Sequence, residues 1–268
     1  MGKRVHFLGI GGAGASAACA IAEAQGYEIT GCDLEPHNEF TTQFKNSQLF
    51  KGHAPKHLHL HTRCVDVLAV TPAIYSLDPQ NPELVEAKKR GVSIMTWQEF
   101  LGKYLAKNKF VIAVAGTHGK TTTTAMIGLM LEQTGLDPTV ELGGIVPKWG
   151  ANYRLQGQKH HDREYFVLEA DEFNDNFLAV KPDISVVTNI EMDHPEYFKN
   201  FEAVKRSFKK FLSFTKQTIV ANLSDPGVKD TLLSFHGRVI NVRYIDYSKH
   251  LIDFPLQVPG QFNKWNAS

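Results

Sequence analysis

FVIAVAGTHGKTTTT, residues 110–124, is the stretch whose reading decides the fold. Phe110 to Val114 is an apolar, partly β-branched run of the length of a buried strand. The run breaks at Gly116, and a polar segment that opens a helix follows Gly119. A strand, a glycine turn and a helix start in that order aim successive backbone N–H groups and the positive end of a helix dipole at one point. Lys120 adds a mobile positive charge, and Thr121 supplies a hydroxyl where a phosphate-bridging Mg²⁺ needs one. A polyphosphate fits such a turn. The spacing, G-x-x-G-K-T over 116–121, is about two residues shorter than the generic phosphate loop.

Upstream, VHFLGIGGAGASAACAIAEAQGYEITGCD (residues 5–33) repeats the theme with a different loop. A strand over Val5–Leu8 enters Gly9-x-Gly11-x-x-Gly14, a small-residue helix is expected from about Ser16 to Gln25, and a second strand ends at Asp33. A βαβ unit with this glycine pattern and an acid about twenty residues on is a dinucleotide-type signature. It does not single out NAD. The glycines recognise a diphosphate and the acid a sugar hydroxyl, and a UDP-sugar has both.

Composition bounds the rest. A chain of 268 residues with 43% hydrophobic and 21% charged residues has the apolar mass for one large or two ordinary domains. A net charge of +1, from 29 basic and 28 acidic residues, offers no field for nucleic acid or an anionic membrane, so neither is expected as a partner. Cys19, Cys32 and Cys64 have no metal-type spacing, and an odd number argues against a disulfide framework. With no signal-peptide-like start and no apolar run near the roughly 18 residues a membrane span needs, a cytoplasmic protein is expected.

The alternation of strands and helices continues. Val65–Val70 and Ser93–Met95 read as strands, Pro82–Arg90 and Trp97–Ala106 as helices, and Lys107-Asn108-Lys109 as the boundary between two domains, 1–107 and 108–268. His53, His57, His59 and His61 lie close together in KGHAPKHLHLH. No cysteine or acid adjoins them in the sequence, so exposed histidines are expected there rather than metal ligands. In the second half the phosphate-loop helix should run from about Thr121 to Gln133. Strands over Glu164–Ala170 and Ile184–Ile190 lead into Glu169-Ala170-Asp171-Glu172 and Glu191-Met192-Asp193-His194. In a parallel sheet those polar groups share the edge onto which the phosphate loop opens, and carboxylates beside a triphosphate are there for a metal or a proton. Phe201–Phe214 has helical spacing, Thr218–Ala221 is a strand, and residues 223–254 give no clear pattern. The chain ends at VPGQFNKWNAS, which reads as the entry to a helix with more protein expected beyond it.

Together HFLGIGGAGAS (6–16), AGTHGKTTTTAM (115–126), EADE (169–172), TNIEMDH (188–194) and PGQFNKWNA (259–267) resemble the Mur ligase family, with the motifs in the family's order. The resemblance implies an α/β fold with a Rossmann-like UDP-substrate domain, a central P-loop ATPase-type domain with a mostly parallel sheet, and a C-terminal closing domain absent from these residues. It implies that Gly116, Thr117, His118, Gly119, Lys120, Thr121 and Thr122 wrap the phosphates of ATP, and that Asn263 lies by the adenine. Lys120, Glu169 and His194 would be catalytic, with Thr121, Glu169 and His194 holding Mg²⁺, two ions in all. Gly9, Gly11, Gly12, Ala13 and Gly14 would hold the UDP diphosphate, with Asp33, His53, Thr71 and Asn81 around the remainder. The implied reaction is ATP-driven joining of L-alanine to the lactyl carboxylate of UDP-N-acetylmuramate in peptidoglycan precursor synthesis. Three positions depart from the family pattern: Phe262 replaces a histidine, Asn174 an acid and Asn176 a serine. Some relatives use a carbamylated lysine, for which Lys205 and Lys209 are candidates without a motif to choose between them. The rival readings are a ligase that returns a whole tripeptide to the same UDP-sugar, a nicotinamide dehydrogenase, and a non-catalytic nucleotide-binding module.

Overall fold

Val5, Phe7 and Leu8 have no exposed surface, because β1 (Arg4–Leu8) runs in the middle of a parallel sheet with both faces covered. The structure, a computed structural model, describes residues 3–60, 63–157, 162–235, 242–249 and 266. The chain divides into two compact units: Met1–Lys107 with Leu142–Leu155, and Asn108–Glu141 with Gln156–Ser268. Two uninterrupted spans are expected from the sequence, and the return of residues 142–155 to the first unit departs from that.

In the first unit β1 pairs with β2 (Glu28–Asp33) and β6 (Val67–Val70); β3 (Leu49–Lys51) and β7 (Ser93–Thr96) complete the order β3-β2-β1-β6-β7, parallel throughout. Between β3 and β6 lies a two-stranded hairpin, β4 (His59–Leu60) with β5 (Arg63–Cys64). Helix α1 (Ala13–Ala24) begins inside the glycine motif, three residues before the expected Ser16, with Gly12 extended as its N-cap. Gly14 lies within the helix, and a Cβ there would lie 2.4 Å from the Trp97 ring; it is a packing glycine rather than a breaker. A short helix, α2 (Ala73–Leu77), precedes α3 (Pro82–Arg90), which carries Asn81 as N-cap, Pro at its start and Gly91 at φ 67° past its end. Thr96 and Glu99 form a capping box on α4 (Trp97–Phe100), and residues 101–105 continue as a π-turn where an α-helix to Ala106 is expected. Phe7 meets Phe100 edge-on on one face of the sheet. On the other, Leu8, Cys32, Leu58, Leu68, Val70, Leu84 and Ala87 form one apolar cluster.

In the second unit β8 (Phe110–Ala115) is flanked on both sides by parallel neighbours, β11 (Tyr165–Glu169) and β12 (Ile184–Val187). Helix α5 (Lys120–Gln133) follows the phosphate loop, and β9 (Thr139–Val146) pairs in parallel with β11. β13 (Thr218–Ala221) and β14 (Arg243–Asp246) extend the other side to give β9-β11-β8-β12-β13-β14, while the end of β9 from Leu142 and β10 (Ala151–Arg154), which hydrogen-bonds to β9, group with the first unit. Helix α6 (Phe201–Leu212) buries Val204, Phe208, Phe211 and Leu212, with the Phe177 ring stacked 4.6 Å from that of Phe211. The stretch without a clear sequence pattern contains α7 (Pro226–Leu233) and β14, short elements separated by residues 236–241, which are outside the described set. Among the described residues no helix is long and apolar enough to cross a membrane.

Candidate active site

Because β8 lies between β11 and β12, the three segments that leave their C-terminal ends meet at one edge of the second unit's sheet. The first is the phosphate loop. Gly116 sits at φ 142°, and a Cβ on it would fall 2.1 Å from Thr188 Oγ1; Gly119 is left-handed at φ 82° and caps α5. Among the described residues no side chain caps the N-terminus of α5, so its first N–H groups point out of the helix unshared by any cap. Asn266 packs on the loop, its Oδ1 2.7 Å from where a Gly119 Cβ would be.

The segment after β12 pins that loop. The backbone N–H of His118 donates to Asn189 Oδ1 (2.8 Å) and Asn189 Nδ2 donates back to the His118 carbonyl (2.9 Å). Thr117 N–H bonds the Asn189 carbonyl (3.0 Å), Glu191 N–H bonds Thr117 Oγ1 (2.9 Å), and Thr188 Oγ1 donates to the His118 carbonyl (2.7 Å). Thr188 and Asn189 stand in a sequence motif that gives them no role of their own. They position the loop.

Lys120 Nζ donates to the Gly116 carbonyl at 2.8 Å and to Glu172 Oε2 at 2.9 Å, both side chains being largely buried. Burial pushes the Glu172 carboxyl above its ordinary range, and the Lys120 ammonium offsets only part of that. Thr121 Oγ1 donates to Glu169 Oε1 at 3.0 Å, which joins two of the three expected metal residues. The third, His194, groups instead with Glu172 and Asp193, ligand atoms of all three lying within 4.8 Å of one another. Glu172 and Asp193 belong to the two polar groups that the sequence places at this edge, where a metal or proton role is expected of the carboxylates without either being named as a ligand. His194 has φ 52°, an uncommon backbone conformation for a side-chain-bearing residue, and its ring lies 4.8 Å from that of Phe173. Oxygen donors at Thr121 and Glu169, with two further carboxylates beside an imidazole, suit a hard dication. Sequence reasoning also missed Glu141 on β9, fully buried, whose carboxyl is held well above its ordinary value by burial and by the neighbouring Glu169 and Asp171. Lys205, a candidate for carbamylation, pairs its ammonium with Asp230 and Glu202. Asn263 and Phe262 lie outside the described residues.

In the first unit Gly9, Gly11 and Gly12 form the turn from β1 into α1, whose first two residues are Ala13 and Gly14. Gly9 and Ile10 N–H groups both bond the Cys32 carbonyl, at 2.9 and 3.1 Å, and Thr71 Oγ1 donates to the Gly9 carbonyl at 2.8 Å. Asp33 Oδ2 accepts from Gly11 N–H at 3.0 Å, so this acid braces the loop from within. Asn81 is fully buried, accepting from Glu83 N–H and donating to Asp78. The expectation of exposed histidines fails at His57, which is buried and bonded to Glu83; His53 is half-buried with Nδ1 3.3 Å from Cys32 Sγ, and His61 is outside the described set. Folding brings to them the acid and the cysteine that the local sequence lacks.

Residues 114–257 match the Mur ligase middle domain, and residues 4–109 the catalytic domain of the Mur ligase family. The chain belongs to the Mur ligase family. Similar curated proteins include UDP-N-acetylmuramate–L-alanine ligases: that of Acetivibrio thermocellus is 36% identical over 89% of this chain and 49% of its own length. That of Pelotomaculum thermopropionicum is 38% identical over 87% and 48%, respectively. The chain thus spans about half the length of these relatives. Among solved structures, the UDP-N-acetylmuramate-alanine ligase of Thermotoga maritima aligns with a TM-score of 0.72 at 29% identity, over 85% of this Mur ligase chain and 51% of that one. The UDP-N-acetylmuramate:L-alanyl-gamma-D-glutamyl-meso-diaminopimelate ligase from Neisseria meningitides shares the fold with a TM-score of 0.84, at 24% identity over 99% of this chain and 91% of the other.

Proposed function

We propose that this chain carries the UDP-substrate and ATP units of a ligase that joins L-alanine to the lactyl carboxylate of UDP-N-acetylmuramate. The observation that carries the reading is the meeting, at one sheet edge, of a Lys120-bearing phosphate loop with the Thr121–Glu169 pair and the Glu172, Asp193 and His194 group. In this reading the sugar's carboxylate attacks the γ-phosphorus of ATP, giving an acyl phosphate and ADP, and the amine of L-alanine then displaces phosphate. A carboxylate is a poor electrophile and phosphate a good leaving group, which is why ATP is consumed. Lys120 exchanges Glu172 for the β- and γ-phosphates, and the open N–H groups of Gly119 to Thr122 hold the phosphate oxygens in line for attack. Thr121 and Glu169 would hold one Mg²⁺ and His194, with Glu172 and Asp193, a second; the ions supply charge neutralisation at the phosphates. The loop over residues 9–14 takes the UDP diphosphate, and closure belongs to a further domain. The similar curated proteins' name supports the choice of amino acid.

Calorimetric titration with UDP-N-acetylmuramate, with NADH in parallel, tests this. Binding of the UDP-sugar alone is expected. Binding of NADH without the UDP-sugar would overturn the assignment of the first unit.

A further inference from the structure

One cluster of chemically capable side chains lies apart from both loops. His6 from the middle of β1, Cys32 from β2, His57 from the turn before β4 and Glu83 from the first turn of α3 converge on the α3 face of the first unit's sheet. Three of them have no exposed surface and His57 is 5% exposed. His6 Nε2 is 3.2 Å from Cys32 Sγ and 3.0 Å from Glu83 Oε2; Cys32 Sγ is 3.2 Å from Glu83 Oε1; His57 Nδ1 is 2.9 Å from the same oxygen. One ligand atom from each of the four falls within 4.8 Å of every other.

We propose that His6, Cys32, His57 and Glu83 form a closed, structural Zn²⁺ site, independent of the ATP and UDP-sugar assignments. A tetrahedral ion with Zn–N and Zn–O near 2.0–2.1 Å and Zn–S near 2.3 Å separates its ligand atoms by roughly 3.3–3.7 Å. The four contacts given above are a few tenths of an ångström shorter and every pair lies within 4.8 Å, so a modest movement of four side chains admits the ion. Charge favours it. A thiolate, a carboxylate and two neutral imidazoles sum with a dication to zero, the arrangement that costs least in a site without water. The donor set, one sulfur, two nitrogens and one oxygen, suits zinc better than magnesium or calcium, which take oxygen.

The groups around the cluster orient the ligands as outer-shell partners of a metal do. Thr30 Oγ1 lies 2.8 Å from His6 Nδ1 and leaves Nε2 facing Cys32 and Glu83. Ala54 N–H donates to Glu83 Oε1 at 2.9 Å, which leaves Oε2 toward His6, and the Phe50 ring stacks on His57 with centroids 4.6 Å apart. The Cys32 carbonyl is the group that holds the N–H of Gly9 and Ile10. An ion on Cys32 Sγ therefore fixes the strand end from which the glycine loop springs, and ties the segment 53–58 and α3 to it.

The test uses the full chain, stripped with chelator and reloaded with Zn²⁺ or Co²⁺. The expected results are about one zinc per chain retained against a weak competing chelator, a higher melting temperature for the loaded protein, and thiolate-to-cobalt charge transfer with intense tetrahedral d–d bands. Cys32→Ser should lose the charge-transfer band and bind zinc at least about 100-fold more weakly, more than loss of an outer-shell partner costs. His194→Ala should change neither. A folded chain that retains no zinc, a cobalt spectrum without thiolate character, or zinc that Cys32→Ser keeps and His194→Ala loses would overturn the proposal. If Cys32→Ser does not fold, the cobalt spectrum and stoichiometry of the parent chain decide alone.

Discussion

Gly116 and Gly119 make the phosphate loop by what they lack. With φ at 142° and Thr188 Oγ1 2.1 Å from the position of an added Cβ, Gly116 has neither the backbone freedom nor the space for alanine. Gly116→Ala should destabilise the chain by about 1–3 kcal/mol and weaken nucleotide binding, checked by urea unfolding and by titration with an ATP analogue. Full stability with unchanged binding would mean that the loop relaxes around a side chain. At this scale the sequence spoke clearly where partners are adjacent: Gly116, Gly119, Lys120 and Thr121 sit within six residues. It was silent on Thr188 and Asn189, because the bonds that make them loop-holders span some seventy residues of chain. The histidine segment shows the same limit. His57 looks solvated until β1, β2 and α3 bring His6, Cys32 and Glu83 to it.

Among the elements, the strands that flank β8 were legible as apolar runs ending in polar groups, and their parallel order follows from the strand–loop–helix alternation. Element starts were read less well. α1 begins at Ala13, and the glycine at position 14 serves packing against Trp97, a contact between distant residues that no local rule sees. β9 hides a buried acid in an otherwise apolar strand. Glu141 lies opposite Leu168 in the ladder with β11, and burial, then Glu169 and Asp171, hold its carboxyl well above the ordinary value of 4.5. The folded chain therefore keeps a proton that the unfolded chain releases. The corresponding stability is fully present below about pH 4.5 and is lost as pH rises toward the folded value, at up to about 1.4 kcal/mol per pH unit for one proton. In metal-free buffer Glu141→Gln should flatten the difference in stability between pH 5 and pH 8 and exceed the parent at pH 8. An unchanged slope in paired urea melts would show that Glu141 is ionised in the fold.

For the whole molecule, two α/β units each present a glycine turn at the C-terminal edge of a parallel sheet, and the two turns differ in the groups beside them. The first turn is braced by Asp33 and carries no lysine; the second has Lys120 and Thr121, with Glu169, Glu172 and Asp193 at the same sheet edge. A boundary after residue 107 was readable from the polar Lys107-Asn108-Lys109 stretch, whereas the grouping of Leu142–Leu155 with the first unit was not, since only pairing and packing reveal where a strand's second half belongs. The division predicts two separable affinities. Lys120 should serve the nucleotide and leave the UDP-sugar untouched. The most direct measurement is calorimetric titration of the parent chain and Lys120→Ala with a Mg²⁺-loaded non-hydrolysable ATP analogue, then with UDP-N-acetylmuramate. The variant should bind the analogue at least about tenfold more weakly, the value of a charge-assisted hydrogen bond to phosphate, with UDP-sugar affinity unchanged. Equal analogue binding by parent and variant, or none by either, would contradict the role of Lys120 at the phosphates.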